Sequence, residues 1–197
     1  GAPSKRRKAL EIAGALSCVA LGGYDRLQIG FLADRTVGLA GPFWGRPQRA
    51  AALAALANAP SARVTDFAAA IGSYLDRVQQ PGLLILLSDL LSSTAEAGLR
   101  RLATARHEAV VIHLLAPDDL VPEPAEDVEL VDCETGQVVD VSLDLATIAR
   151  YRQRLAEWLD HLDRLCRERG ARYLRLRSDD DLERTILGVM RTQGVLA

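Results

Sequence analysis

The chain has 197 residues, 49% hydrophobic and 25% charged, with a formal net charge of -2. That is enough apolar material for one domain with a real core, and it excludes a disordered or repeat-built chain. The near-neutral balance gives no global attraction to nucleic acid or anionic membrane, and no apolar run reaches membrane-spanning length. Cys18, Cys133 and Cys166 are an odd count without a C-x-x-C pair, which argues against a disulfide framework or zinc site and suits a reducing cytoplasm.

Ser4 to Leu21 carries apolar residues at helical spacing, with Ser4 as N-cap and Gly22-Gly23 as the stop. Leu27 to Ala33 and Thr36 to Ala40 read as a hairpin around Asp34-Arg35, ended by Gly41-Pro42. Pro47 to Ala57 and Thr65 to Val78 read as helices, the second capped by Thr65. Gly82 to Leu91 is an apolar run that stops at Ser88 and Asp89. It predicts a buried parallel strand delivering both residues to the carboxyl edge of a sheet, where ligands bind in open α/β folds.

A helix from Thr94 to Arg106, a strand from Ala109 to Leu115 and a proline-rich acidic loop from Ala116 to Asp127 follow. Val128 to Asp132 and Gln137 to Val141 then flank Glu-Thr-Gly as a hairpin near 128-141. The helical stripe from Asp144 to Glu168 is closed by Gly170, and a strand from Tyr173 to Arg177 and a helix from Asp181 to Met190 complete the chain. This alternation predicts a three-layer α/β domain with a mainly parallel sheet flanked by helices.

Counting reversals of direction places the loops at Asp34, Thr65, Asp89, Asp118-Asp119 and Asp179 to Asp181 at one sheet edge, and Gly41 to Arg46 at the other. Hydroxyls and carboxylates gathered in this way suit Mg²⁺, Mn²⁺ or Ca²⁺ better than zinc. Helix capping is the plainer role for the same residues. No G-x-S-x-G, P-loop or G-x-G-x-x-G occurs. Ser88, His113 and an aspartate could be imagined as a triad, but His113 falls within a strand and reads as locally packed. His107 and His161 read as solvent-facing, and Lys5-Arg6-Arg7-Lys8 as a solvated first helical turn. Phe43 and Trp44 read as a cover for the lower edge of the core, with partner anchoring as the other role.

The segments Ala2-Pro3-Ser4-Lys5, Asp25-Arg26-Leu27, Thr65-Asp66-Phe67-Ala68, Leu86-Leu87-Ser88-Asp89, Val131-Asp132 with Glu134-Thr135-Gly136, and Tyr151-Arg152 together resemble the domain of unknown function 58 family. The resemblance implies a single von Willebrand factor A-like domain over 1-197, commonly encoded beside MoxR-type AAA+ ATPases. It also implies a metal-ion-dependent adhesion site with Thr65 and Asp89 among its ligands. The family's Asp-x-Ser-x-Ser loop does not occur. On the resemblance, the chain is therefore expected to be truncated at its N-terminus, without the first central strand, and to hold Mg²⁺ or Mn²⁺ weakly or not at all unless extended. The gap left between the Leu27 and Leu83 strands, about 10 Å across, would be closed, left poorly ordered or filled by a second chain, giving a homodimer through exposed sheet edges.

The function so implied is a non-catalytic protein-interaction module. In full-length form it would bind a partner through a divalent cation and work with a MoxR-type AAA+ ATPase in protein assembly or maturation. No nucleic acid and no membrane segment in this chain are expected; the location is cytoplasmic, or membrane-tethered through the missing region. The competing expectation is a metal-dependent α/β hydrolase or phosphatase using Asp89.

Overall fold

The first helix is wedged between two apolar surfaces. In the computed structural model, which describes residues 4–60, 66–104, 106–121, 125–131, 138–143 and 145–190, α1 spans Lys5–Gly22 and is capped by Ser4 Oγ, which accepts from Arg7 N at 3.2 Å. Ile12 packs against a parallel sheet, whereas Leu21, Leu10 and Ala13 pack against a separate hairpin. Burial on two sides explains why α1 has polar residues inside its contact surface, among them Lys8, only 5% exposed.

The hairpin is β1 (Arg26–Ala33) with β2 (Thr36–Trp44), joined by a tight turn with Asp34 at φ 48°. Asp tolerates that left-handed conformation better than most residues. The second strand is longer than its sequence suggests. It runs through Gly41-Pro42 to Trp44, because Leu27 and Arg26 pair with Phe43 and Trp44. A 3₁₀ turn at Arg46–Gln48 then leads into α2 (Arg49–Ala57), so Pro47 belongs to the turn and not to the helix.

After α3 (Phe67–Arg77) come β3 (Leu83–Ser88), α4 (Ala95–Ala103) and β4 (Glu108–Leu115). The short α5 (Pro117–Leu120) interrupts the expected acidic loop, and β5 (Ala125–Val131) pairs antiparallel with β6 (Val138–Leu143). This is the expected second hairpin; its Glu134-Thr135-Gly136 turn lies outside the described residues. The chain continues through α6 (Leu145–Glu168), β7 (Arg172–Arg177) and a π-helical segment at Arg184–Met190.

Strands β3, β4 and β7 form a parallel sheet in the order β3-β4-β7, hydrogen-bonded to neither hairpin. Along the central β4, Val110, Ile112 and Leu114 face α1 and the π-helical segment, while Ala109 and Val111 face the layer containing α3, α4 and α6. Helices therefore cover both faces, as the continuous apolar runs of β3 and β4 require. The expected α/β class and parallel sheet hold in this form: three parallel strands with two antiparallel pairs.

Candidate functional site

Asp89 follows β3 directly, and its main chain is held from two sides. Ser88 Oγ accepts from Leu90 N at 3.0 Å, a local turn that lets Leu90 sit at φ 53° with its side chain buried. From β4, His113 Nε2 lies 2.9 Å from the Asp89 carbonyl oxygen, and His113 Nδ1 lies 2.6 Å from the Tyr173 hydroxyl. A carbonyl only accepts, so Nε2 carries the proton and Nδ1 accepts from the tyrosine O–H. His113 is fully buried beside Trp158, in edge-on contact at 5.2 Å. Burial pushes its pKa down to about 4 and raises that of Tyr173, so the pair rests as neutral imidazole and neutral phenol.

This geometry does not assemble a Ser88–His113–Asp triad. Ser88 is engaged with Leu90 N, and both imidazole nitrogens are engaged elsewhere. His113 is instead a positioning residue for the Asp89 backbone, in keeping with the expectation of a locally packed strand histidine.

The Asp89 side chain is 40% exposed, and its Oδ2 lies 3.1 Å from Lys5 Nζ. The same ammonium is 3.1 Å from Asp119 Oδ2, which also accepts from Ala116 N at 2.8 Å. Burial works to lower the Lys5 pKa, but the two carboxylates outweigh it and hold the ammonium above its ordinary value. Lys8 donates to the Asp180 carbonyl. The basic first turn is thus only partly solvated: Lys5 and Lys8 turn inward and tie α1 to the loops after β3, β4 and β7. Replacing Lys5 by Met is expected to cost about 1 kcal/mol at low ionic strength and less in 0.5 M salt, as for a half-exposed pair. Urea unfolding at both salt levels measures it.

Thr65 lies outside the described residues. The next residue, Asp66, caps α3 in place of the threonine expected there: Asp66 Oδ1 accepts from Ala69 N at 3.0 Å. That bond, together with the Thr94 hydroxyl and the nearby Arg35 and Arg101, holds its carboxyl below the usual range. Thr94 Oγ1 also accepts from Ala68 N at 3.2 Å and lies 3.3 Å from Ser92 Oγ. The loop after β3 and the start of α3 are therefore one hydrogen-bonded unit. Asp34, through its carbonyl to Asp66 N at 3.3 Å, joins the same edge. At the far end of the fold, Phe43 packs into the core of the first hairpin, while Trp44 is 69% exposed with its Nε1 donating to the Tyr24 carbonyl.

A divalent cation of the Mg²⁺ or Mn²⁺ kind needs about six oxygen ligands. Among the described residues, no group of three or more His, Cys, Asp or Glu side chains is placed to hold a metal ion. The two carboxylates that do converge share Lys5 as their cation. Of the two expected ligands, Asp89 is described and pairs with Lys5, whereas Thr65 lies outside the described residues.

The signals in sequence for this edge were partial. Asp89 and Asp119 were legible as acids after strands, but the partners that position them were not. Lys5 was hidden in a basic run, and Tyr173 and Thr94 act through contacts 60 and 26 residues distant.

Comparison with known proteins agrees with the motif order. The family model described as "Protein of unknown function DUF58" matches residues 1–159. The uncharacterized protein Rv1480 of Mycobacterium tuberculosis is 31% identical over 147 residues, 74% of this chain and 46% of that protein. The uncharacterized protein Mb1516 of Mycobacterium bovis matches to the same extent. The uncharacterized protein MAV169 of Mycobacterium avium is 29% identical over 158 residues, 78% of this chain and 94% of that protein. The chain thus spans about half the length of the first two relatives. No solved structure matches it significantly. Among the described residues no helix is long and apolar enough to cross a membrane. With the family model covering most of its length, the chain belongs to the DUF58 family.

Proposed function

We propose that the chain is a non-catalytic protein-interaction module whose partner-facing surface is the carboxyl edge around Asp89. The observation that carries this reading is the way Asp89 is presented. Its backbone is fixed by a buried histidine and a serine turn, while its carboxylate stays half-exposed beside a lysine. Fixing the main chain in advance reduces the ordering cost of binding at that edge.

The partner implied by the resemblance is a MoxR-type AAA+ ATPase, and the process is the assembly or maturation of other proteins. A von Willebrand factor A-like sheet is compatible with β3-β4-β7 between two helical layers.

The test is a binding titration between the full-length protein and a MoxR-type ATPase encoded beside it. It should be run with the wild type and Asp89→Ala, each in Mg²⁺ and in EDTA. The expected result is a loss of about tenfold or more in affinity for the variant, about 1.4 kcal/mol. Equal affinity of the two proteins would remove Asp89 from the interface. Loss of wild-type binding in EDTA would place a divalent cation in the interaction.

A further inference from the structure

Away from the Lys5 pair, the outer face of α3 forms the floor of a groove of about 610 Å³ that no part of the Asp89 reading uses. Three arginines from three different elements line it: Arg35 from the β1–β2 turn, Arg77 at the end of α3, and Arg101 from α4. Two of them are steadied by main-chain carbonyls. Arg101 Nη1 donates to Ala68 O at 3.1 Å and Arg77 Nη1 donates to Val37 O. Each of these bonds uses one nitrogen, and a guanidinium carries five N–H donors, so among the described residues most of the donor capacity of Arg77 and Arg101 is left for a ligand.

The floor is cut to fit these side chains. It is made of small residues, Ala68, Ala69, Gly72 and Ser73, so nothing projects into the groove from below. At Gly72 a Cβ would stand 2.7 Å from Arg101 Nη1, so even alanine there would displace the guanidinium. The two acids of the groove, Asp66 and Asp76, offset part of this charge and leave one net positive charge. Asp66 caps α3 with Oδ1 and pairs with Arg35 at 3.6 Å through Oδ2.

Arginine rather than lysine, three times over, points to a ligand with carboxylate-type oxygens that accept paired N–H bonds. The length of the groove points to a chain rather than a lone ion. From Asp66 to Arg77 the helix rises roughly 16 Å, the span of about five residues of extended peptide. We propose that the Arg35–Arg77–Arg101 groove binds an acidic peptide segment of a partner protein. This proposal deepens the interaction-module reading by naming the chemistry of the partner, and it adds a surface separate from the Lys5–Asp89 pair.

The experiment is fluorescence anisotropy with a labelled octa-glutamate peptide, run on the wild type, Arg35→Gln, the triple variant Arg35→Gln/Arg77→Gln/Arg101→Gln, and Asp89→Ala. The expected result is binding that weakens as salt rises, a loss of about threefold for Arg35→Gln and at least about tenfold for the triple variant, and no change for Asp89→Ala. Arg35 is 67% exposed, so its single variant tests the groove even if the triple variant does not fold. Unchanged affinity in Arg35→Gln and in a folded triple variant would overturn the proposal. So would equal binding of an octa-glutamine control, or displacement of the peptide by inorganic phosphate at matching concentration, which would make this a small-anion site. Because octa-glutamate binding is read without the ATPase, its failure leaves the Asp89 titration standing, and the reverse also holds.

Discussion

Acidification from pH 7.5 to 5 is expected to remove about 2 kcal/mol of stability through His113 alone, rising to about 3 kcal/mol below pH 4. The folded state holds this imidazole neutral, with its pKa lowered to about 4 by burial, whereas the unfolded chain protonates it near 6.5. Between those values the unfolded state binds more protons, so stability is fully present above pH 6.5 and is lost as pH falls toward 4. The hydrogen bonds explain why the folded state resists the proton. Nε2 already donates to the Asp89 carbonyl and Nδ1 accepts from Tyr173, so a second N–H would face the tyrosine oxygen only after its hydroxyl turned away.

Urea unfolding at pH 7.5, 6 and 5 checks this, with His113→Gln as the control. Glutamine does not titrate, so the variant should start less stable at pH 7.5 and lose this component of the pH slope. A wild type whose unfolding midpoint is flat from pH 7.5 to 5, or a variant with the same slope, would contradict the assignment. Since His113 anchors the backbone of Asp89, the same acidification is expected to loosen the loop after β3, the part of the edge on which the proposed interaction rests.

What could be read from sequence here follows the range of the interactions. Gly82 to Leu91 announced a strand because coverage of both faces leaves an unbroken apolar run, and the strand at Leu83–Ser88 ends where Ser88 and Asp89 said it should. Within it Leu84 and Leu86 are buried, Ile85 and Leu87 part-buried and Leu83 49% exposed. The α6 stripe was equally plain, since a helix packed on one side repeats its apolar residues every three or four positions. Harder to read was α1, which is wedged between two cores and places Lys8 inside. Its basic run looks like a solvated turn until the acids it meets, 84 and more residues later, are known. The extension of β2 to Trp44 was hidden for a related reason: Gly and Pro signal a stop locally, but pairing with β1 carries the strand through them. The cap of α3 went to Asp66 rather than to Thr65 because the Thr94 hydroxyl, from another loop, meets the backbone there. Local capping preferences do not separate two adjacent good caps.

Truncating Phe67 to alanine is expected to be the most damaging single change considered, at about 3–5 kcal/mol, or roughly 10 °C in melting temperature. Phe67 is the first residue of α3 and is 2% exposed. Its ring fills the space above Gly98 in α4, where a Cβ would come within 2.6 Å of the ring's Cε1 and 3.4 Å of Ala68 Cα. Glycine at 98 is what lets the two helices approach this closely, so Gly98→Ala alone should cost about 1–3 kcal/mol by overpacking. The two changes should not add. The methyl group introduced at 98 would occupy part of the cavity left by the lost ring, so the double variant should be more stable than the sum of the two singles predicts, by about 1 kcal/mol. Thermal or urea unfolding of the four proteins closes the cycle, and strict additivity would mean that the ring and Gly98 are not in contact. The consequence reaches the surface as well. Asp66 caps the helix that Phe67 begins, and Thr94 holds Ala68 from the other side. A shifted Phe67 therefore moves the cap and the arginine-lined floor together, and Gly98→Ala is expected to weaken octa-glutamate binding while leaving Arg35, Arg77 and Arg101 in place.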